Sequence, residues 1–164
     1  MKPKYLIGDA LDPAEIEGIC VLGHVCNDKR AMGAGIALSI AKKWPWVEEH
    51  YRTARTCKQG DVQLILAETQ DEWGRVEGDL YVLNMIAQSL GKNSPDGIPL
   101  DYSMLEFCLD QAAIICNALD ATFVGPKFGC GLAGGDWSVI EKIINHAPFN
   151  KQPVIYDLPS GKTK

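Results

Sequence analysis

Three residues able to handle protons or hydroxyls close an apolar run in the stretch GHVCNDKRAMGAGIALSIAKKW, Gly23 to Trp44. They are His24, Asn27 and Asp28. A histidine or an aspartate can take a proton from water, and an asparagine amide can hold hydroxyl groups. Gly33, Ala34 and Gly35 then stand in a row where a helical pattern begins. A packed core does not need so little side chain there, whereas a ligand that must touch the main chain does. A second loop repeats the theme. PKFGCGLAGGDW carries Phe128, Gly129, Cys130, Gly131, Leu132, Ala133 and Gly134 ahead of Asp136, another acid at a helix entrance.

Each loop runs into a helix N-terminus, where unpaired amides carry partial positive charge and can face an anion. Two such cradles on one cleft would suit a diphosphate. The dinucleotide fingerprint G-x-G-x-x-G is absent after the first strand, and no G-K-[ST] follows either loop. Each candidate also has an ordinary reading. Asp9 can cap the turn after the first strand, and Asn27 can form an Asx-turn. His24 can be a satisfied histidine at a strand end, Asp28 a solvated loop acid, and Asp136 an N-cap. Met85 and Trp137 read as core, and Lys29-Arg30 as a solvated pair. Cys130 sits inside a proposed cradle, where a lowered thiol pKa is conceivable, but no histidine base is near it in sequence.

The elements that must position these residues alternate. Strands are expected over 4–7, 16–25, 62–68, 80–86, 122–125 and 154–158, and helices over 35–43, 46–54, 102–119 and 136–146. EWGRVEGD (72–79) reads as a turn region and SLGKNSPDGIPL (89–100) as a loop, and Asp101 caps the long helix. The order gives an α/β fold with three layers, helices on both sides of a mixed, mainly parallel sheet. Ligands in such folds sit at the carboxyl ends of the strands. Three segments lie there: Gly8-Asp9-Ala10, Asn27 to Gly35, and Phe128 to Gly135.

The chain of 164 residues reads as one domain over 1–159 with a frayed tail over 160–164. It is 46% hydrophobic and 23% charged, and its net charge of −5 argues against a broad nucleic-acid surface. No run of about 18 apolar residues is present, so no membrane span is expected. The early acids and proline do not fit a signal peptide. The six cysteines form no C-x-x-C pair and the three histidines lack ligand spacing. The expectation is a cytoplasmic, monomeric protein with reduced thiols, no metal and no cofactor.

Four segments, GDAL (8–11), GHVCNDKRAMGAGIA (23–37), VLNMIAQ (82–88) and PKFGCGLAGGDW (126–137), resemble the macro domain, the ADP-ribose-binding fold. The resemblance covers nearly the whole chain. It is closest to the branch containing the terminal ADP-ribose protein glycohydrolase and the yeast-type ADP-ribose 1''-phosphate phosphatase. It implies that Asp9 accepts a hydrogen bond from the adenine amino group beside the Ala10 amide, and that Asn27 holds hydroxyls of the distal ribose. Gly33, Ala34 and Gly35 would let the main chain approach that ribose and a phosphate. The loop from Gly129 to Gly134 would wrap the diphosphate, and Tyr156 or Leu158 would pack on the adenine.

The pattern breaks at the acid/base positions. Ala87 and Gln88 stand where the related glycohydrolase carries a nucleophilic lysine, and Lys92 lies too far along the chain to replace it. Ala133 stands where that enzyme has its acidic partner. Ala37 replaces the aspartate of a second hydrolase branch. The leading expectation is therefore hydrolysis of ADP-ribose 1''-phosphate, with Asn27, Asp28, His24 and Asp136 as the candidate catalytic residues. The alternatives are hydrolysis of ADP-ribosyl adducts on protein or nucleic acid, and a non-catalytic reader of free ADP-ribose or of ADP-ribosylated macromolecules.

Overall fold

The apolar runs pair into one six-stranded sheet in a computed structural model that describes residues 1–69, 78–91 and 94–159. In chain order the elements are β1 (Lys4–Ile7), β2 (Cys20–Asn27), α1 (Gly35–Lys43), α2 (Pro45–Thr53), β3 (Val62–Glu68), β4 (Leu80–Gln88), α3 (Tyr102–Leu119), β5 (Thr122–Pro126), α4 (Trp137–His146) and β6 (Val154–Asp157). The strand order is β1-β6-β5-β2-β4-β3. Every pairing is parallel except that of β3, which runs antiparallel to β4 at the edge.

β2 is buried along its whole length, as an apolar strand in the middle of a sheet covered on both faces must be. One face packs Val21, Val25, Leu83 and Phe123 against Leu105, Leu109 and Ala112 of α3 and Ile140 of α4. The other packs Leu22, Val82 and Val124 against Ile40 of α1 and Val47 and Tyr51 of α2. The three-layer α/β/α arrangement with a mixed, mainly parallel sheet is therefore the observed fold. Pro45 does more than interrupt a helix: it opens α2 at a first-turn position, where its missing N–H costs nothing.

Two strands shift by two residues or more. The second strand spans 20–27 rather than 16–25, because Cys20 pairs with both Thr122 and Leu80, and the ladder with β4 continues to Asn27 opposite Gln88. β4 likewise runs on to Gln88, past a register shift at the Cys26/Asn27 step. Both strands thus end on a polar residue at the same edge. The expected turn region falls mostly on residues outside the described ones, as do Lys92 and the tail over 160–164. No helix among the described residues is long and apolar enough to cross a membrane.

Candidate functional site

Because β1, β2, β4, β5 and β6 are mutually parallel, their carboxyl ends point the same way, and a cleft of about 550 Å³ lies across them. That volume is typical of a small-molecule site. Each of these strands contributes at or just beyond its end: Asp9 and Ala10 after β1, Asn27 on β2, Gln88 on β4, Lys127 after β5, and Tyr156 and Leu158 on and after β6. The two small-residue loops form the walls, with Gly33, Ala34 and Gly35 on one side and Phe128, Gly129, Gly131, Leu132 and Ala133 on the other.

Why the walls are made of small residues follows from what surrounds them. A Cβ built on Gly33 or on Gly131 would meet no atom within 4 Å, so protein packing does not demand glycine at either place. Gly35 differs: its φ of +58° is a left-handed conformation in which a side chain is strained. It opens α1, whose N-cap is Ala34, and Ala34 has no side-chain hydrogen bond to give. Among the described residues the amides of Gly35, Ile36 and Ala37 donate to no protein acceptor, and neither do those of Gly131, Leu132 and Ala133. Two sets of uncommitted donors therefore wall one cleft.

Asn27 organises the first wall. Its Oδ1 accepts from the amides of Lys29 (2.9 Å) and Ala31 (3.2 Å), and its Nδ2 donates to the Ala31 carbonyl at 2.8 Å. The Asx-turn and the place in the cleft wall are thus one arrangement, with a single Nδ2 hydrogen left to face a ligand. Asp9 also has both roles: its Oδ1 accepts the Leu11 amide at 2.9 Å while the residue lines the cleft.

Several expected site residues lie elsewhere. His24 is wholly buried on the α1/α2 side of the sheet. Its Nε2 donates to Asn84 Oδ1 at 2.6 Å, since Asn84 Nδ2 is itself spent on Gln63 Oε1 at 3.1 Å. Burial pulls its pKa down to about 4, so the ring stays neutral, out of reach of the cleft. Asp136 caps α4, accepting the Ser138 amide at 2.9 Å and the Ser138 hydroxyl at 2.8 Å. Those bonds hold its carboxyl below the usual range, which makes it a poor base, and it lies outside the cleft wall. Cys130 and Gly134 also lie outside that wall. The Cys130 thiol is pushed up by burial and then by Asp136, opposite to the lowering an anion cradle would cause. Gly134 turns toward Ile98 and Pro99. Asp28 lines a neighbouring cavity of about 220 Å³ with Gln59 and Asp101, sharing Ser89, Leu90 and Pro99 with the main cleft.

Sequence reasoning overlooked Gln88, Ser89 and Lys127. The rule that strand ends carry ligands points to all three, but none of them stands out by residue type as Asp9, Asn27 and the small-residue loops do. Lys127 is held 3.1 Å from Asp157 and lies over the Tyr5 ring at 5.7 Å. Among the described residues no group of three or more His, Cys, Asp or Glu side chains is placed to hold a metal ion, and none of the six cysteines forms a disulfide.

No protein-family model and no curated protein matches the chain. Solved structures do. A Bacteroides thetaiotaomicron protein of known crystal structure is 33% identical, with a TM-score of 0.82 over 96% of this chain and 100% of that one. The Thermosipho africanus DarTG, solved in complex with ADP-ribose, is 20% identical with a TM-score of 0.67 over 88% of this chain and 39% of that one, a likeness of fold alone. A macrodomain protein from Streptomyces coelicolor is 30% identical, with a TM-score of 0.74 over 95% of this chain and 99% of that one. With the strand-end cleft and its two small-residue walls, that identity over nearly both full lengths places this chain in the macrodomain family.

Proposed function

We propose that this chain binds ADP-ribose in the strand-end cleft and hydrolyses ADP-ribose 1''-phosphate to ADP-ribose and phosphate. The observation that carries the binding is the pair of uncommitted amide sets on residues lining one cleft, at the uncapped start of α1 and on the Gly131–Ala133 loop. Such donors, free of protein acceptors at a helix start and a loop, bind a diphosphate without any lysine. Asp9 and Tyr156 take the adenine at the β1/β6 side. Asn27 takes the distal ribose toward β4, and the diphosphate spans the middle. Structures of two fold relatives, the Thermosipho DarTG and an Oceanobacillus macrodomain mutant, contain ADP-ribose.

For the hydrolysis, the chemistry rests on positioning and on amides that stabilise developing negative charge. Of the acids considered, Asp28 is the one beside the distal end, and it is assigned the attacking water. A second reading, a reader without turnover, is favoured by one observation. Asp9, at the opposite end, is the only carboxylate lining the main cleft among the described residues. Release of an ADP-ribosyl group from a protein or nucleic-acid adduct would need the same acid near the same ribose.

Phosphate release from ADP-ribose 1''-phosphate by the wild type, Asn27→Ala and Asp28→Asn separates these readings. A phosphatase loses turnover in both variants, with Asp28→Asn leaving ADP-ribose affinity nearly unchanged, because a base acts mainly in the transition state. No release above background by the wild type leaves the reader. ADP-ribosyl release from an adduct, assayed separately, identifies the third activity.

A further inference from the structure

Tyr51 belongs to α2, a helix that contributes nothing to the cleft wall, yet it reaches the residue that organises that wall. It is wholly buried. Its hydroxyl donates to the Asn27 carbonyl and lies 3.0 Å from Asn27 Oδ1. Burial raises its pKa, outweighing the lowering by the backbone N–H groups of Arg30 and Ala31, so it remains a proton donor inside the loop.

The same loop is held from outside. Arg30 Nη1 donates to the carbonyls of Tyr51 (3.0 Å) and Arg52 (3.1 Å), in the last turn of α2. Arg30 itself has a φ of 61°, an uncommon conformation outside glycine that persists only where the surroundings impose it. Packing alone would be served by a phenylalanine ring at position 51. The hydroxyl adds a hydrogen bond to a residue in the cleft wall.

We propose that Tyr51 and Arg30 are positioning residues. Neither touches the ligand; together they fix the Asn27 amide and the small-residue segment after it at the distal-ribose end of the cleft. The inference rests on the ADP-ribose reading above and adds what makes that end of the site precise.

The test is calorimetric titration of wild type, Tyr51→Phe and Arg30→Ala with ADP-ribose and with AMP, each preparation checked by thermal melting. AMP occupies the adenine end and does not reach Asn27. Loss of one buried hydrogen bond at the wall should weaken ADP-ribose about tenfold in Tyr51→Phe. AMP affinity should not change, and Arg30→Ala should show the same split. In an Asn27→Ala background, Tyr51→Phe should add little, since the two act through one contact. Equal losses for both ligands, no loss for either, or additive losses in the double variant overturn the inference. If Tyr51→Phe does not fold, Arg30→Ala decides by the same split. Wild-type protein that binds no ADP-ribose removes the underlying reading and the inference with it. Wild type that binds, with both variants binding equally well, overturns the inference alone.

Discussion

The two glycine-rich loops look alike in sequence, but they meet their helices differently. The loop ending at Asp136 hands α4 a finished N-terminus, with a carboxylate on the Ser138 amide and hydroxyl. The loop ending at Ala34 hands α1 an N-terminus that no side chain caps. α3, the longest helix, is also capped, by Asp101 on the Met104 amide at 3.1 Å. Leaving an N-cap out costs about 1 kcal/mol of helix stability. The molecule accepts that cost where the helix opens onto the cleft and avoids it where α4 starts outside the cleft wall. The second loop offers amides too, but from its own turn rather than from the helix behind it. Resemblance of composition is therefore a poor guide to which helix end opens onto the cleft, and a missing cap alone is not enough either, since α2 also lacks a side-chain cap and contributes nothing to the cleft wall.

The largest effect should come from filling the space that glycine leaves. A Cβ at Gly33 meets no protein atom within 4 Å, so in Gly33→Val the fold should persist while the new side chain occupies ligand volume. ADP-ribose affinity should fall by about a hundredfold or more, roughly 3 kcal/mol. Gly131→Val should do the same from the opposite wall, and retained affinity in either variant would separate that wall from the site. Exchanging the caps sharpens the contrast. Ala34 already has the extended conformation of an N-cap, at φ −149° and ψ 159°. Ala34→Asp should therefore stabilise the protein by about 1 kcal/mol and weaken ADP-ribose about tenfold, because the carboxylate takes the amides meant for the anion. A rise in both stability and affinity would contradict this account.

Asp136→Ala should do the opposite, lowering the melting temperature and leaving ADP-ribose affinity unchanged. The pH dependence has a definite sign. The folded-state pKa of Asp136 lies below its unfolded value, so its stabilisation is present above the ordinary carboxylate range. It is lost as pH falls through the lowered folded value. The melting difference between wild type and Asp136→Ala should therefore be present at pH 7 and gone in strong acid. The smallest effect concerns Cys130. With its thiol pushed up, alkylation by iodoacetamide at pH 7 should be no faster than that of free cysteine, and a faster rate would place the thiol in an anion cradle after all.

What was legible in the sequence depended on range. Strand and helix identities came from local periodicity, and the small-residue walls from composition. The end of β2 did not, because Asn27 is polar and only its pairing with Gln88 shows that the strand continues. The fate of His24 was partly legible: it alternates with Leu22 and Cys26, and period two places all three on one buried face. Its partners Asn84 and Gln63 come from neighbouring strands and carry no local signal. Tyr51 was illegible for the same reason, since a tyrosine on an amphipathic helix reads as core until the loop it holds is seen.

If the uncapped start of α1 and the amides of the Gly131–Ala133 loop hold the diphosphate of ADP-ribose, the protein must tell ADP-ribose from AMP. Calorimetric titration of the wild-type protein with ADP-ribose and with AMP tests it most directly. The account predicts micromolar-class affinity for ADP-ribose, about −8 kcal/mol, and much weaker binding of AMP, which lacks the second phosphate and the distal ribose. Equal affinities, or no binding of ADP-ribose, would contradict it.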